Sequence, residues 1–178
     1  MLHVPKGTCT SFTLLELGLL PVHQEIDSRK LTFLHHILCL PVDDPVWIVY
    51  NEQKGYFNEP NWYNEVTELL KKYEIEESEE DIRSLSKASW KDIVKRAVRK
   101  HTVVTLYEEC QSKSKTSNVP PYTELQQQKY FGTLNPSRAR VYFQIRAGVY
   151  DVKVNRKYWY SDEVCRLCER PKKLLSTF

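Results

Sequence analysis

Cys165 and Cys168 stand two residues apart, the spacing at which a tight turn brings two thiolates onto one metal ion. Zinc takes four such ligands in a tetrahedron, so Cys-x-x-Cys supplies half a site. The residues that follow, Glu169 to Phe178, contain neither His nor Cys. The pair is therefore the stump of a zinc module, two ordinary thiols, or half of a site completed by His or Cys from elsewhere, with His101 and Cys110 as candidates. The approach to it is basic. Between Pro136 and Phe178 ten Lys or Arg stand against four acids, although all 178 residues together carry a formal charge of only +3.

Two stripes of cations bear on that basic character. Arg138, Tyr142 and Arg146 recur at i, i+4 steps, and Lys153, Arg156, Lys157, Tyr158, Trp159 and Tyr160 continue the pattern. Cations meet phosphates in any sequence and exposed rings stack on unpaired bases, which together suit a binder of single strands or structured RNA. The competing reading is that Tyr142, Tyr150 and Trp159 are core residues and the cations only keep the surface soluble. A second stripe, Lys87, Lys91, Lys95 and Arg99, shares one helical face, with Trp90, Ile93, Val94 and Ala97 on the other. Such a row neutralises consecutive phosphates, or is simply the solvated side of an amphipathic helix.

Catalytic chemistry finds no comparable pattern. His35 and Cys39 lie on one helical face, but His35 also sits over Leu31, Leu34 and Leu38, as a core histidine would. Asp44 is explained as a helix cap. No Gly-rich phosphate loop, Ser-centred elbow or His-Glu-x-x-His is present, so no enzyme and no small-molecule substrate are expected. There is no membrane-spanning apolar run, and Met1 leads into His3, Pro5, Lys6 and Gly7 rather than a signal peptide. Five cysteines in no regular framework argue against a disulfide-stapled secreted domain. The expected location is intracellular, in nucleus or cytoplasm.

The elements that must position these residues read as helices nearly throughout. A first short helix carries Leu14, Leu15, Leu17 and Leu19, capped by Thr10 or Ser11 and ended before Pro21. A second, to Leu40, is largely buried through Ile26, Leu31, Leu34 and Leu38, with Phe33 and Ile37 beside them. Being apolar over more than one face, it opens the chain to self-association. Asp44-Pro45 starts a third helix, Asn61 a fourth with Trp62, Val66, Leu69 and Leu70 on its apolar face, and Ser86 or Ser89 the longest, to Cys110. The β-branched run 102–105 weakens the end of that last helix. Asn135-Pro136 opens a further helix bearing Val141, Tyr142, Ile145 and Val149, and 152–154 alternates like a short strand. The acidic run from Glu74 to Asp81 reads as a solvated helix end or linker. The expected architecture is mainly α: a helical domain over 1–110, a polar, Ser-rich linker over 111–122, and a smaller basic helical region over 123–178 ending in the Cys-x-x-Cys turn.

Several stretches resemble the region that follows the polymerase core in reverse transcriptases of non-long-terminal-repeat retrotransposons. They are His3 to Thr8, Leu15-Glu16-Leu17-Gly18-Leu19-Leu20-Pro21, Arg29 to Leu38, and the tail from Arg146 through Tyr150 to Tyr158 and on to Cys165-Arg166-Leu167-Cys168. The likeness covers most of the chain and is weakest from about residue 74 to 133. It implies a helical region that holds template RNA or target DNA, and a Cys-Cys-His-Cys zinc knuckle of which only Cys165 and Cys168 are matched. It also implies that the metal-binding aspartates of the polymerase would lie upstream of Met1, so no polymerase chemistry is carried over. The expected protein is thus a non-catalytic fragment that binds RNA or single-stranded DNA, with Arg138, Tyr142, Arg146, Lys153, Arg156 and Lys157 as carriers. The alternative is a helical interaction or structural domain, or a pseudogene product, with no nucleic-acid role.

Overall fold

The computed structural model describes residues 4, 7–56, 59–117 and 119–150. Among these residues there are eight helices and no strand: α1 (Thr10–Leu17), α2 (Val22–Leu38), α3 (Pro45–Gln53), α4 (Trp62–Lys72), α5 (Glu79–Ser84), α6 (Lys87–Gln111), α7 (Tyr130–Thr133) and α8 (Pro136–Arg146). The protein is mainly α, its helices packed on one another. Two compact units divide it, one of Leu20–Thr102 and the other of the residues up to Leu19 and from Val103 on, so α6 begins in the first and ends in the second. Residues 111–122 therefore lie within a unit rather than between two. The alternating segment 152–154 falls outside the described residues.

In the unit Leu20–Thr102, local chemistry sets where helices begin. Asp44 accepts the Val46 amide at 2.8 Å with Pro45 at the first helical position, and Asn61 accepts the Asn64 amide at 2.8 Å. Ser86 Oγ takes the Ser89 amide at 3.1 Å ahead of α6. The acidic run is not a bare linker. Ser78 and Asp81 form a capping box that starts α5, a helix whose S-x-x-D signature stands in the sequence unread, and Glu79 accepts from the Tyr50 hydroxyl at 2.8 Å.

Packing then selects one face of each helix. The core joins Leu31, Leu34, Ile37 and Leu38 of α2 to Tyr50, Val66, Leu69, Ile82, Trp90, Val94 and Val98, with Trp62 and Leu70 at its margin. Trp90 is wholly buried and its indole N–H donates to the Leu31 carbonyl at 2.8 Å. His35 is the expected core histidine: its Nε2 donates to the Leu85 carbonyl at 2.9 Å. Ile26 and Phe33, expected inside, are about half exposed at 47% and 48%. The buried stripe of α2 runs through Leu31, Leu34 and Leu38, and Phe33 reaches only the rim, edge-on to Trp62 with ring centroids 5.9 Å apart.

The other unit is built on α1, the end of α6, α7 and α8. Phe12 and Leu15 of α1, Val103, Leu106 and Cys110 of α6, and Ala139, Phe143 and Ala147 at i, i+4 steps along α8 and its C-cap are among its buried residues. The β-branched run does not break α6, because Thr102 Oγ1 turns back to the Val98 carbonyl at 2.7 Å. Neither Thr10 nor Ser11 caps α1: Cys9 holds that position, makes no cap bond, and receives Thr13 Oγ1 on its carbonyl at 3.0 Å. The helix ends before Pro21, at Gly18, which is left-handed at φ 65°, while Leu19 N–H reaches back to the Leu14 carbonyl at 3.0 Å. A Cβ there would also lie 2.4 Å from the Gln126 backbone, so Gly18 is required twice over.

Candidate nucleic-acid interface

The cation row of α6 runs beside the stripe that the same helix buries. Trp90, Val94 and Val98 point inward, so Lys87, Lys91 and Lys95 stand out in solvent, and Arg99 is half-buried. Successive members rise about 6 Å along the axis. Between residues 87 and 102 six cations meet the single acid Asp92, so the exposed side of this stretch is strongly positive. No ion pair engages Lys87, Lys91 or Lys95 among the described residues. Lys100, on a neighbouring row, is held by Glu74 at 3.1 Å.

On α8 one face of the helix is buried. Ala139, Phe143 and Ala147 are inside, while Val141, Tyr142 and Ile145 are 37–45% exposed. Phe143 packs between Phe12 and Phe131, at centroid distances of 5.6 and 6.3 Å. Arg138 and Arg140 stand in solvent beside the half-exposed Tyr142, which rests edge-on against Tyr130 at 4.7 Å. Arg138 and Tyr142 are thus a cation and a ring one turn apart on an open face.

Arg146 is placed differently from the other expected contacts. Its Nη2 and Nε lie 2.9 and 3.2 Å from one carboxylate oxygen of Glu16, a residue of α1 with no exposed surface. The Tyr122 hydroxyl donates to the same oxygen and the Tyr130 hydroxyl to the other, at 2.6 Å. The Gln128 amide closes on the Glu16 backbone carbonyl at 3.0 Å. The guanidinium is therefore committed to a buried carboxylate, and the residue neutralises charge inside the unit. Tyr122, expected at the end of a linker, is part of that cluster.

The cluster has a pH signature. Burial first, and the hydrogen bond to Glu16 second, hold the Tyr122 and Tyr130 hydroxyls protonated well above the ordinary tyrosine range. Arg146 loses by burial but gains more from Glu16, and its pKa rises. The folded state thus binds tyrosine protons that the unfolded state releases above about pH 10, so this contribution is complete below that pH and is lost as pH rises beyond it. Unfolding midpoints followed from about pH 8 to about pH 11 are expected to fall at the alkaline end, and the Tyr122→Phe, Tyr130→Phe pair to fall less steeply. An equal fall in both proteins would refute the assignment.

Lys153, Arg156, Lys157, Trp159, Cys165 and Cys168 lie outside the described residues. Among those described, no group of three or more His, Cys, Asp or Glu is placed to hold a metal ion. His101 is edge-on to Tyr73 at 5.2 Å, and Cys110 is buried. No described helix is long and apolar enough to cross a membrane.

No protein-family model, curated protein or solved structure matches the chain. What it offers chemically is a phosphate-spaced lysine row in one unit and an arginine beside an open ring in the other.

Proposed function

We propose that the chain is a non-catalytic helical fragment of retroelement origin that binds RNA or single-stranded DNA without sequence preference. The carrying observation is the row Lys87, Lys91 and Lys95, exposed beside the buried stripe Trp90, Val94 and Val98 and engaged in no ion pair among the described residues. Arg138 and Tyr142 supply a phosphate contact and a stacking ring on α8, and Arg99 flanks the row. Lys153, Arg156 and Lys157 extend the basic surface in this reading, and Cys165 and Cys168 furnish two of the four ligands of a knuckle. Arg146 serves through Glu16, by positioning α8. The resemblance to post-polymerase regions of retrotransposon reverse transcriptases supports the same partner class.

A titration of single-stranded RNA and DNA at several salt concentrations tests the proposal. Affinity is expected to fall steeply with salt, and the Lys87→Gln, Lys91→Gln, Lys95→Gln triple variant to flatten the log–log slope by about 2, from roughly 0.7 counterions per lost contact. Affinity independent of salt would refute it.

A second reading, a helical protein-interaction domain, is favoured by one feature. Val22, Ile26 and Phe33 of α2 and Val42, Val46 and Val49 in and before α3 are between 47% and 76% exposed, a run of apolar surface in one unit. That reading gains if the triple variant binds nucleic acid as the unsubstituted chain does.

A further inference from the structure

In the unit Leu20–Thr102, α2 carries two seams. The core takes Leu31, Leu34 and Leu38, while Val22, Ile26, Arg29 and Phe33 stand exposed. These four recur at intervals of four, three and four residues, the 3.5-residue period along which two helices interlock knob into hole. Leu31 lies nine residues beyond Val22, which at about 100° per residue is half a turn round the helix. The exposed seam is thus opposite the buried one. Its single charge is Arg29, whose Nε donates at 3.2 Å to Glu25, one turn back and also exposed.

We propose that this seam binds a second copy of the chain, α2 against α2, antiparallel about a two-fold axis between Asp27 and Ser28. A two-fold interface needs residues that complement one another when their order is reversed. Reversal here sets Val22 against Phe33 of the second copy, and Ile26 against the aliphatic stem of Arg29 of the second copy. The two-fold repeats both contacts. Charge agrees with the apolar pattern. Glu25 and Arg29 lie toward the same side of the seam, and reversal brings Glu25 of each copy to within about 2 Å, along the axis, of the level of Arg29 in the other. Two acids and two arginines then alternate along one edge, and the helix dipoles oppose. A parallel pair would set Arg29 against Arg29 and align the dipoles. The arginine also selects the occupant, because a wholly apolar helix laid on the seam would cover it without bringing an acid. Pairing covers α2 alone: α6 packs on its other side, where Trp90 donates to the Leu31 carbonyl, so the lysine row stays open. The seam is about 18 Å long, so the dimer is weak and shows itself by its dependence on concentration.

Sedimentation equilibrium of the full chain, without nucleic acid and under reducing conditions, tests this. The mean mass is expected to rise from one chain toward two across the micromolar range. Ile26→Lys, at an exposed position, should leave the chain monomeric while its helical circular dichroism and urea midpoint stay as they were. Arg29→Glu sets like charges beside each other across the two-fold and should weaken the dimer about tenfold, whereas Glu25→Arg, Arg29→Glu exchanges the charges and should restore it. A single-chain mass at every concentration overturns the proposal, as does a dimer indifferent to Ile26→Lys. A dimer weakened in Arg29→Glu and not regained in the exchanged variant overturns it too.

Discussion

Replacing Glu16 with alanine is expected to cost the unit containing α1 and α8 about 3–5 kcal/mol, among the largest effects of any single substitution in the protein. The carboxylate has no exposed surface and accepts from Arg146, Tyr122 and Tyr130 together. Its removal strands three donors at once. Arg146, 23% exposed, recovers part of its hydration, but the tyrosine hydroxyls have only Glu16 as carboxylate partner, and each orphaned buried donor costs about 1–3 kcal/mol. Glu16→Gln keeps the shape but turns one acceptor into a donor facing other donors, so it too destabilises. Arg146→Met makes the complementary error by leaving a carboxylate in the interior with two tyrosines alone. Denaturant-dependent hydrogen exchange at α1 and α8 amides reads this unit separately from Leu20–Thr102. In a double-mutant cycle the Glu16 and Arg146 changes should couple by more than about 1 kcal/mol; additivity within about 0.5 kcal/mol would sink the cluster as a stabilising device.

The same geometry separates folding from binding. Loss of nucleic-acid affinity in Arg146→Met would report a damaged unit, whereas Arg138→Ala, at an exposed position on the same helix, tests contact with little cost to the fold. Four helix starts were legible because capping is local: Asp44, Asn61, Ser86 and Asn135 act on amides two or three residues ahead. The α6 lysine row was legible for a similar reason, since Trp90 and Val94 leave no doubt about which face is buried. Glu16 was not. It reads as one acid inside Leu14-Leu15-Glu16-Leu17, and its partners lie 106, 114 and 130 residues away, at distances over which one chain carries no pairing signal. The only hint was an acid in an apolar run, where burial demands a partner. On α8 the sequence did not mark which face is buried, and the structure seats Ala139 and Ala147 around a single large ring, Phe143.

Trp90→Ala is expected to cost the unit Leu20–Thr102 about 3–5 kcal/mol, the range for truncating a fully buried large aromatic. The indole has no exposed surface, lies within the core that joins α2 to α6, and ties the two helices directly through its bond to the Leu31 carbonyl. Trp90→Phe divides that sum. It keeps most of the apolar contact and removes the N–H, so its cost, about 1–3 kcal/mol, combines a smaller cavity with the lost bond. Urea midpoints of the two variants should fall in that order, and equal midpoints would mean that ring volume is not what Trp90 contributes. The link to function is through phase. Lys91 follows Trp90 directly and Lys95 follows Val94, so the buried pair keeps the lysine row turned to solvent. Trp90→Phe, assayed where it is still folded, should therefore keep the salt slope of nucleic-acid binding while losing stability. A changed slope in that folded variant would show that the row depends on more than the face α6 buries.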